Sequence, residues 1–323
     1  MTVTLRPGPI DVHAHWLPQE LFDLPPGAPY RPISDRDGQL FIGDIPLSID
    51  SRLMSDVSAI RADMDRTGVA VRVLSAPPFA FARNDLPGAA EYADAFNESL
   101  SRVVLDGDGA LVGLGCVSLG NVDDSARQIR QLQYAEGIVG IAIPPLAGDD
   151  SLDAGTLREV VRLAARANLS VLVHPMQLPG QALGRHYLTN LIGNPVETAV
   201  AVASTLLGGV LDELPDLRIC FVHGGGCAPS LLGRWDHAWH ARSDVSADSQ
   251  RPPSEGFPRL FFDTVTHDED ALSLLTAKAG VGQVLLGSDY PFDMADSEPL
   301  THALERGMSA HELERAARRF LGV

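Results

Sequence analysis

His13 and His15 stand two residues apart at the end of a short apolar run, Ile10-Asp11-Val12-His13-Ala14-His15. In a strand, side chains at i and i+2 leave the same face, so both imidazoles can reach one object. A divalent metal is the natural candidate, because histidine is its commonest nitrogen ligand. Three later apolar runs also end in a potential ligand: Ser170 to His174, Arg218 to His223, and Val284 to Asp289. His13, His15, His174 and Asp289 supply four protein ligands to one cation. A position is left for a water, whose pKa the metal lowers toward ~7. His223 then falls to proton handling, as a general base beside that water, rather than to a fifth ligand position.

Chemistry of this kind needs elements that bring four distant stretches together. Apolar strand runs occur at Pro9 to His15, Val69 to Ser75, Leu111 to Val117, Ile138 to Ile143, Ser170 to His174, Leu217 to His223, Arg259 to Asp263 and Gln283 to Ser288. Helical patterns lie between them. One is opened by Asn194-Pro195, read as a cap followed by proline in the first turn. Eight short apolar strands alternating with helices predict a parallel sheet closed into a (β/α)8, or TIM, barrel. The C-terminal ends of such strands converge on one mouth, where the five polar groups would meet. No linker divides the chain, so residues 1–323 read as a single domain. Residues 16–50 form a long insertion after the first strand, a candidate lid. Within it, Gln39 to Ile42 and Ile45 to Ile49, separated by Gly43-Asp44, read as a small β-hairpin.

Composition narrows the function classes. A formal net charge of −17 argues against nucleic acid or an anionic membrane as partner. An anionic small substrate would need local arginines to overcome that field. Lys278 is the sole lysine and lies in an amphipathic run, which excludes a Schiff base or a carbamylated lysine bridging two metals, so the site should be mononuclear. Cys116, Cys220 and Cys227 are too scattered for a disulfide framework or a cysteine-rich zinc site. With no apolar signal segment at the start and no run long enough to span a bilayer, a cytoplasmic location is expected.

The motifs Asp11-Val12-His13-Ala14-His15, Val173-His174-Pro175, Cys220 to Gly226 and Leu286 to Phe292 resemble the amidohydrolase superfamily. The branch resembles the aminocarboxymuconate-semialdehyde decarboxylases. The likeness extends to Leu231 to Trp239 and Arg251 to Glu255, and covers essentially the whole chain. The resemblance implies a zinc-dependent, non-oxidative decarboxylase, with His13, His15, His174 and Asp289 on zinc and His223 as the catalytic histidine. Some relatives with Glu-x-His in the first motif use manganese, which stays the alternative; His-x-His here favours zinc. The resemblance also implies a homodimer in which Arg234 crosses the interface to bind a substrate carboxylate. The family's second carboxylate-binding arginine has no exact counterpart. Ser48 falls near its position, and Arg52, four residues on, either substitutes for it or simply opens a helix. Met176 replaces a tryptophan of the decarboxylases, and Gly180 to Tyr187 departs from their pattern.

The expected reaction is therefore metal-dependent decarboxylation of a small unsaturated or aromatic carboxylic acid, by metal-bound water and His223. Hydrolysis of a lactone or amide on the same site is the alternative. Trp16, Phe79, Tyr187, His267 and Phe292 follow strands or lie in strand-to-helix loops, where they could line the pocket. Cys227 has no base placed to activate it.

Overall fold

The computed structural model describes residues 4–22, 33–82, 87–176 and 183–323. Eight strands form one parallel sheet: β1 (Ile10–His15), β5 (Val71–Ser75), β6 (Leu111–Cys116), β7 (Ile138–Ile143), β8 (Ser170–Val173), β9 (Ile219–Phe221), β10 (Phe261–Asp263) and β11 (Val284–Leu285). They neighbour one another in chain order. Every residue of β1 and of β5 to β11 is buried, as expected of strands covered on both faces. The sheet closes where β1 meets the chain following β11. Val12 N donates to Leu286 O (2.9 Å), Asp289 N to His13 O (2.8 Å) and His15 N to Tyr290 O (2.7 Å). The expected eight-stranded barrel is thus present.

The helices on the outside explain why the chain returns to the sheet. They are α1 (Ser51–Ser55), α2 (Val57–Thr67), α3 (Ala89–Leu105), α4 (Val122–Tyr134), α5 (Gly155–Arg166), α6 (Asn194–Leu207), α7 (Val210–Glu213), α8 (Ala228–Ala241), α9 (Pro253–Gly256), α10 (Glu269–Ala279), α11 (Pro299–Glu305) and α12 (Ala310–Leu321). In α5, Leu157, Val160, Val161 and Ala164 repeat at helical spacing and are buried against the sheet. Asn121 begins α4 by accepting from Asp124 N, and Asp268 begins α10 by accepting from Ala271 N.

The expected hairpin of the insertion is present as β3 (Gln39–Ile42) and β4 (Ile45–Asp50), and β2 (Ile33–Arg36) extends it to a three-stranded antiparallel sheet. Residues 23–32 of the insertion lie outside the described residues. Several strands are shorter than their apolar runs, so His174, His223 and Asp289 stand in the segments just past β8, β9 and β11. Finally, Asn194 is not a cap. A π-helical turn, Thr189–Gly193, runs directly into α6, and Asn194 is already helical (φ −59°, ψ −50°).

Candidate metal centre and active site

β1 sends Asp11, His13 and His15 to the buried inner side of the barrel, as the two-residue period requires. His174 and Asp289 arrive from the opposite and the neighbouring strands. One ligating atom from each of His13, His15, His174 and Asp289 lies within 4.8 Å of the others. Asp289 Oδ1 is 3.1 Å from both His13 Nε2 and His15 Nε2, and 3.8 Å from His174 Nε2. All four residues are buried.

The outer nitrogens decide what the inner ones can do. His13 Nδ1 is 2.7 Å from Asp263 Oδ2, His15 Nδ1 is 3.2 Å from Ala76 O, and His174 Nδ1 is 2.7 Å from Pro175 O. Each partner is an acceptor, so each Nδ1 carries the hydrogen, and the three Nε2 lone pairs turn toward the Asp289 carboxylate. Acceptors therefore face acceptors. His13 Nε2 and His174 Nε2 are buried without a hydrogen-bond partner. Only a cation satisfies such a set, and the three imidazoles and one carboxylate fit a single metal ion.

Protonation shows the same frustration. Burial lowers the basicity of His13, but the Asp289 charge and the Asp263 hydrogen bond overcome it and raise its pKa to about 10. Burial pushes His174 down to about 3 and also lowers His15. Burial would raise Asp289, yet the charge of His13 and the surrounding histidine hydrogen bonds hold it well below the usual carboxylate range. Without a metal, one proton on His13 serves as the missing cation.

Asp263 is the residue missed in the sequence reading. Besides holding His13, its Oδ1 accepts from Gly224 N (2.9 Å) and Val265 N (3.2 Å). It thereby ties the first histidine to the turn that carries His223. The signal was available: Leu260-Phe261-Phe262-Asp263 is another apolar run ending in a carboxylate. Gly287 leaves room for this pairing, since a Cβ there would stand 2.8 Å from the Asp263 Cβ and 3.1 Å from the His13 Cβ. His223 Nε2 lies 3.3 Å from Asp289 Oδ2, and its Nδ1 is buried without a partner. His223 and Asp289 both have positive φ (55° and 62°), a conformation that non-glycine residues hold at a cost and that tends to cluster at functional sites.

A cavity of about 1060 Å³ opens above this floor. Its lining includes His174, Asp289, Phe79, Phe292, Met176 and Tyr187, and β4 closes one side with Ile45 to Ile49. The insertion is thus a wall of the cavity. Phe292 packs edge-on against His15, with ring centroids 5.0 Å apart. A second cavity, about 360 Å³, shares Asp289 with the first and is lined by His223 and His267.

The remaining site expectations divide. Phe79, Tyr187, Phe292 and His267 line a cavity, and Met176 does as well. Trp16 does not: it is 2% exposed, donates from its indole to Ser55 O (3.1 Å) and packs on Phe96. Ser48 lines the large cavity, whereas Arg52 lies outside it, 74% exposed and 3.8 Å from Asp56. Arg234 is exposed on α8 and outside both cavities of its own chain. Of the divergent stretch Gly180 to Tyr187, Gly180, Gln181 and Ala182 lie outside the described residues. Cys227 is half-buried, and burial raises its thiol pKa, which agrees with an inert side chain.

The amidohydrolase family profile matches residues 10–322. Over 300 residues the chain is 30% identical to the 2-amino-3-carboxymuconate-6-semialdehyde decarboxylase of Dictyostelium discoideum, spanning 90% of this chain and 83% of that one. The crystal structure of the IDCase of Metarhizium anisopliae has a TM-score of 0.82 at 21% identity, covering 98% of this chain and 97% of the other. The 5-carboxyvanillate decarboxylase of Novosphingobium aromaticivorans, solved with manganese, has a TM-score of 0.80 at 19% identity, covering 98% and 96%. These two structures share the barrel. The chain belongs to the amidohydrolase family, in its aminocarboxymuconate-semialdehyde decarboxylase-like branch.

Proposed function

We propose that the protein is a metal-dependent carboxy-lyase that removes carbon dioxide, without oxidation, from a small unsaturated or aromatic carboxylic acid. The observation that carries this reading is the buried set of acceptors, His13, His15, His174 and Asp289, placed beside His223 at the floor of an aromatic-walled cavity. These four residues would hold the ion. Once bound, the ion supplies Lewis acidity to a substrate oxygen and acidifies a water. Zinc is the assignment that the His-x-His motif favours, with manganese, found in the Novosphingobium relative, as the alternative.

The chain's own residues do the rest. The bond to the carboxylate breaks, carbon dioxide leaves, and the electron pair stays on carbon, which must take a proton. His223 moves that proton; its Nε2 is oriented by Asp289 Oδ2, and its backbone is fixed through Gly224 and Asp263. Phe79 and Phe292, 6.0 Å apart and edge-to-face, pack on the flat body of the acid and exclude water. The insertion acts as the lid over this wall. Arg234 would serve a partner subunit's cavity in a homodimer. An exposed apolar stripe, Leu191 and Ile192 in the turn Thr189–Gly193 with Val196 and Val200 on α6, supports the pairing; α6 packs on the helix that bears Arg234. Among the described residues no helix is long and apolar enough to cross a membrane. The three cysteines are free, which supports a reducing, cytoplasmic setting.

The test is metal analysis followed by a carbon dioxide release assay over unsaturated and aromatic acids. Replacement His223→Ala should cut turnover by about 10²–10⁴-fold while the metal stays near one per chain. Loss of the metal in that variant would make His223 a ligand instead. A new carboxylate formed from a lactone or amide, with no carbon dioxide from any acid, would make the enzyme a hydrolase.

A further inference from the structure

The loops at the mouth of the barrel divide between the two cavities. The small one is lined mostly by the segments after β9 and β10. The large one takes the segments after β1, β5, β6, β7, β8 and β11, so it runs from the metal centre across the loops of six strands. Its lining has two parts. His174 and Asp289 belong to the metal centre, with Phe79 and Phe292 packed edge-to-face beside it. Most of the rest is apolar: the insertion supplies Ile42, Ile45, Pro46 and Leu47, and the loops after β6 and β7 add Leu119 and Leu146. Ile45 is 66% exposed, and Met176, on the same lining, is 41% exposed. Contiguous apolar surface left open to water marks a binding groove.

Size and charge say what fills it. Pockets of roughly 300–1,000 Å³ bury a drug-sized molecule. At about 1060 Å³ this cavity is far larger than an acid of one ring can fill. Its carboxylates are Asp289 and Asp293, and among the described residues that line it there is no arginine or lysine. A second carboxylate on the substrate would be buried there without a positive partner from these residues, at a high desolvation cost. Hydrocarbon carries no such cost and gains by leaving water.

We propose that the substrate is a monocarboxylic acid that carries a bulky apolar substituent: the acid end lies at the metal centre, and Ile45 and Leu47 of the insertion bind the substituent. This rests on reading the large cavity as the site of the decarboxylase. The insertion is then a specificity element as well as a lid. The substituent's apolar surface is what Ile45, left open to water in the empty cavity, packs against.

The zinc-loaded protein is titrated with benzoate, 4-ethylbenzoate, 4-butylbenzoate and 4-hexylbenzoate, and heats of binding give the affinities. These acids share one charge and differ only in apolar length. Affinity is expected to rise about fourfold for each methylene buried. Ile45→Asp and Leu47→Asp are each expected to lower the ratio of 4-hexylbenzoate to benzoate affinity by about tenfold, through the lost apolar contact. Ile45 is the more exposed of the two, so its variant keeps the test open should Leu47→Asp fail to fold. An affinity that stays flat or falls along the series in the wild type overturns the proposal. So does a rise undiminished in the folded variants, because the alkyl chain then lies elsewhere. Carbon dioxide release is measured separately. Release with no gain along the series keeps the decarboxylase reading and removes the substituent; the gain with no release from any acid does the reverse.

Discussion

Two clusters of buried charge hang from the same strand. At the lower one, Asp11 accepts from Arg72 Nε (3.0 Å), from Ser288 Oγ (2.7 Å) and from the backbone of Ser288 and His13, while Arg72 Nη2 also pairs with Asp63 (2.8 Å). Asp11 and Arg72 are both fully buried, and the guanidinium sits over the Tyr290 ring at 4.5 Å. Two and four residues further along β1, His13 and His15 enter the upper cluster, where imidazole lone pairs face a carboxylate. The lower cluster contains its own cation; the upper one does not. Burying charge is costly unless it is paired, so a chain that gives one cluster a cation of its own and leaves its neighbour all-acceptor has reserved the second for an ion from outside. The first closes the barrel, joining β1, β5 and the segment after β11. The second is where chemistry can occur.

Substitutions should separate the two clusters cleanly. His174→Ala should cost metal and at least about 10³-fold in activity, since the ion's share of catalysis is worth several kcal/mol. Its apoprotein should unfold at nearly the wild-type temperature, as read by circular dichroism. Arg72→Met should do the opposite. It strands Asp11 and should cost about 3–5 kcal/mol of stability, seen in urea unfolding, whereas the fraction that remains folded keeps its metal. If Arg72→Met lost metal selectively, the two clusters would not be independent.

Asp263→Asn addresses the link between His13 and the His223 turn. It should weaken metal binding about 10–100-fold, measured by competition with a chelator, with a smaller change in unfolding midpoint than Arg72→Met.

The last effect is in pH. In the metal-free protein the His13 pKa is raised to about 10, against 6.5 for the free side chain. Metal must displace that proton, so apparent affinity should climb roughly tenfold per pH unit from pH 7 and level off near 10. Folding stability carries the opposite sign. A raised histidine stabilises the metal-free fold fully below its unfolded pKa and loses that contribution as pH rises through its folded value. The metal-free protein should therefore weaken between pH 7 and 10 while the metal-loaded one does not. Equal slopes in the two forms would show that His13 is not the proton holder.

Much of this was legible in the chain because period and composition are local. The two-residue spacing of His13 and His15 fixes a shared face in any strand. The alternation of apolar runs with amphipathic ones fixes a parallel sheet with helices outside. Asp289 and His174 stood at the ends of such runs and could be picked out by type. Asp263 stood at the end of one as well, but its role depends on the Nδ1 of a histidine 250 residues away, which no local pattern reports. Trp16 shows the reverse error. It follows the first strand directly, yet its ring turns into the packing under α1, because the indole N–H finds Ser55 O there. Asn194 was read as a cap from its proline neighbour, but the π-helical turn ahead of it had already begun the helix.

The residues by themselves determined the eight-stranded barrel, the identity of the four groups that converge, and the exclusion of lysine chemistry. These follow from side-chain type and short-range periodicity, which survive any arrangement of the elements in space. Only the tertiary structure decided which nitrogen of each histidine faces inward, which arginine neutralises Asp11, and which cavity wall each aromatic ring joins. Those depend on distances between segments far apart in the chain, set by how the sheet closes and how the loops above it pack.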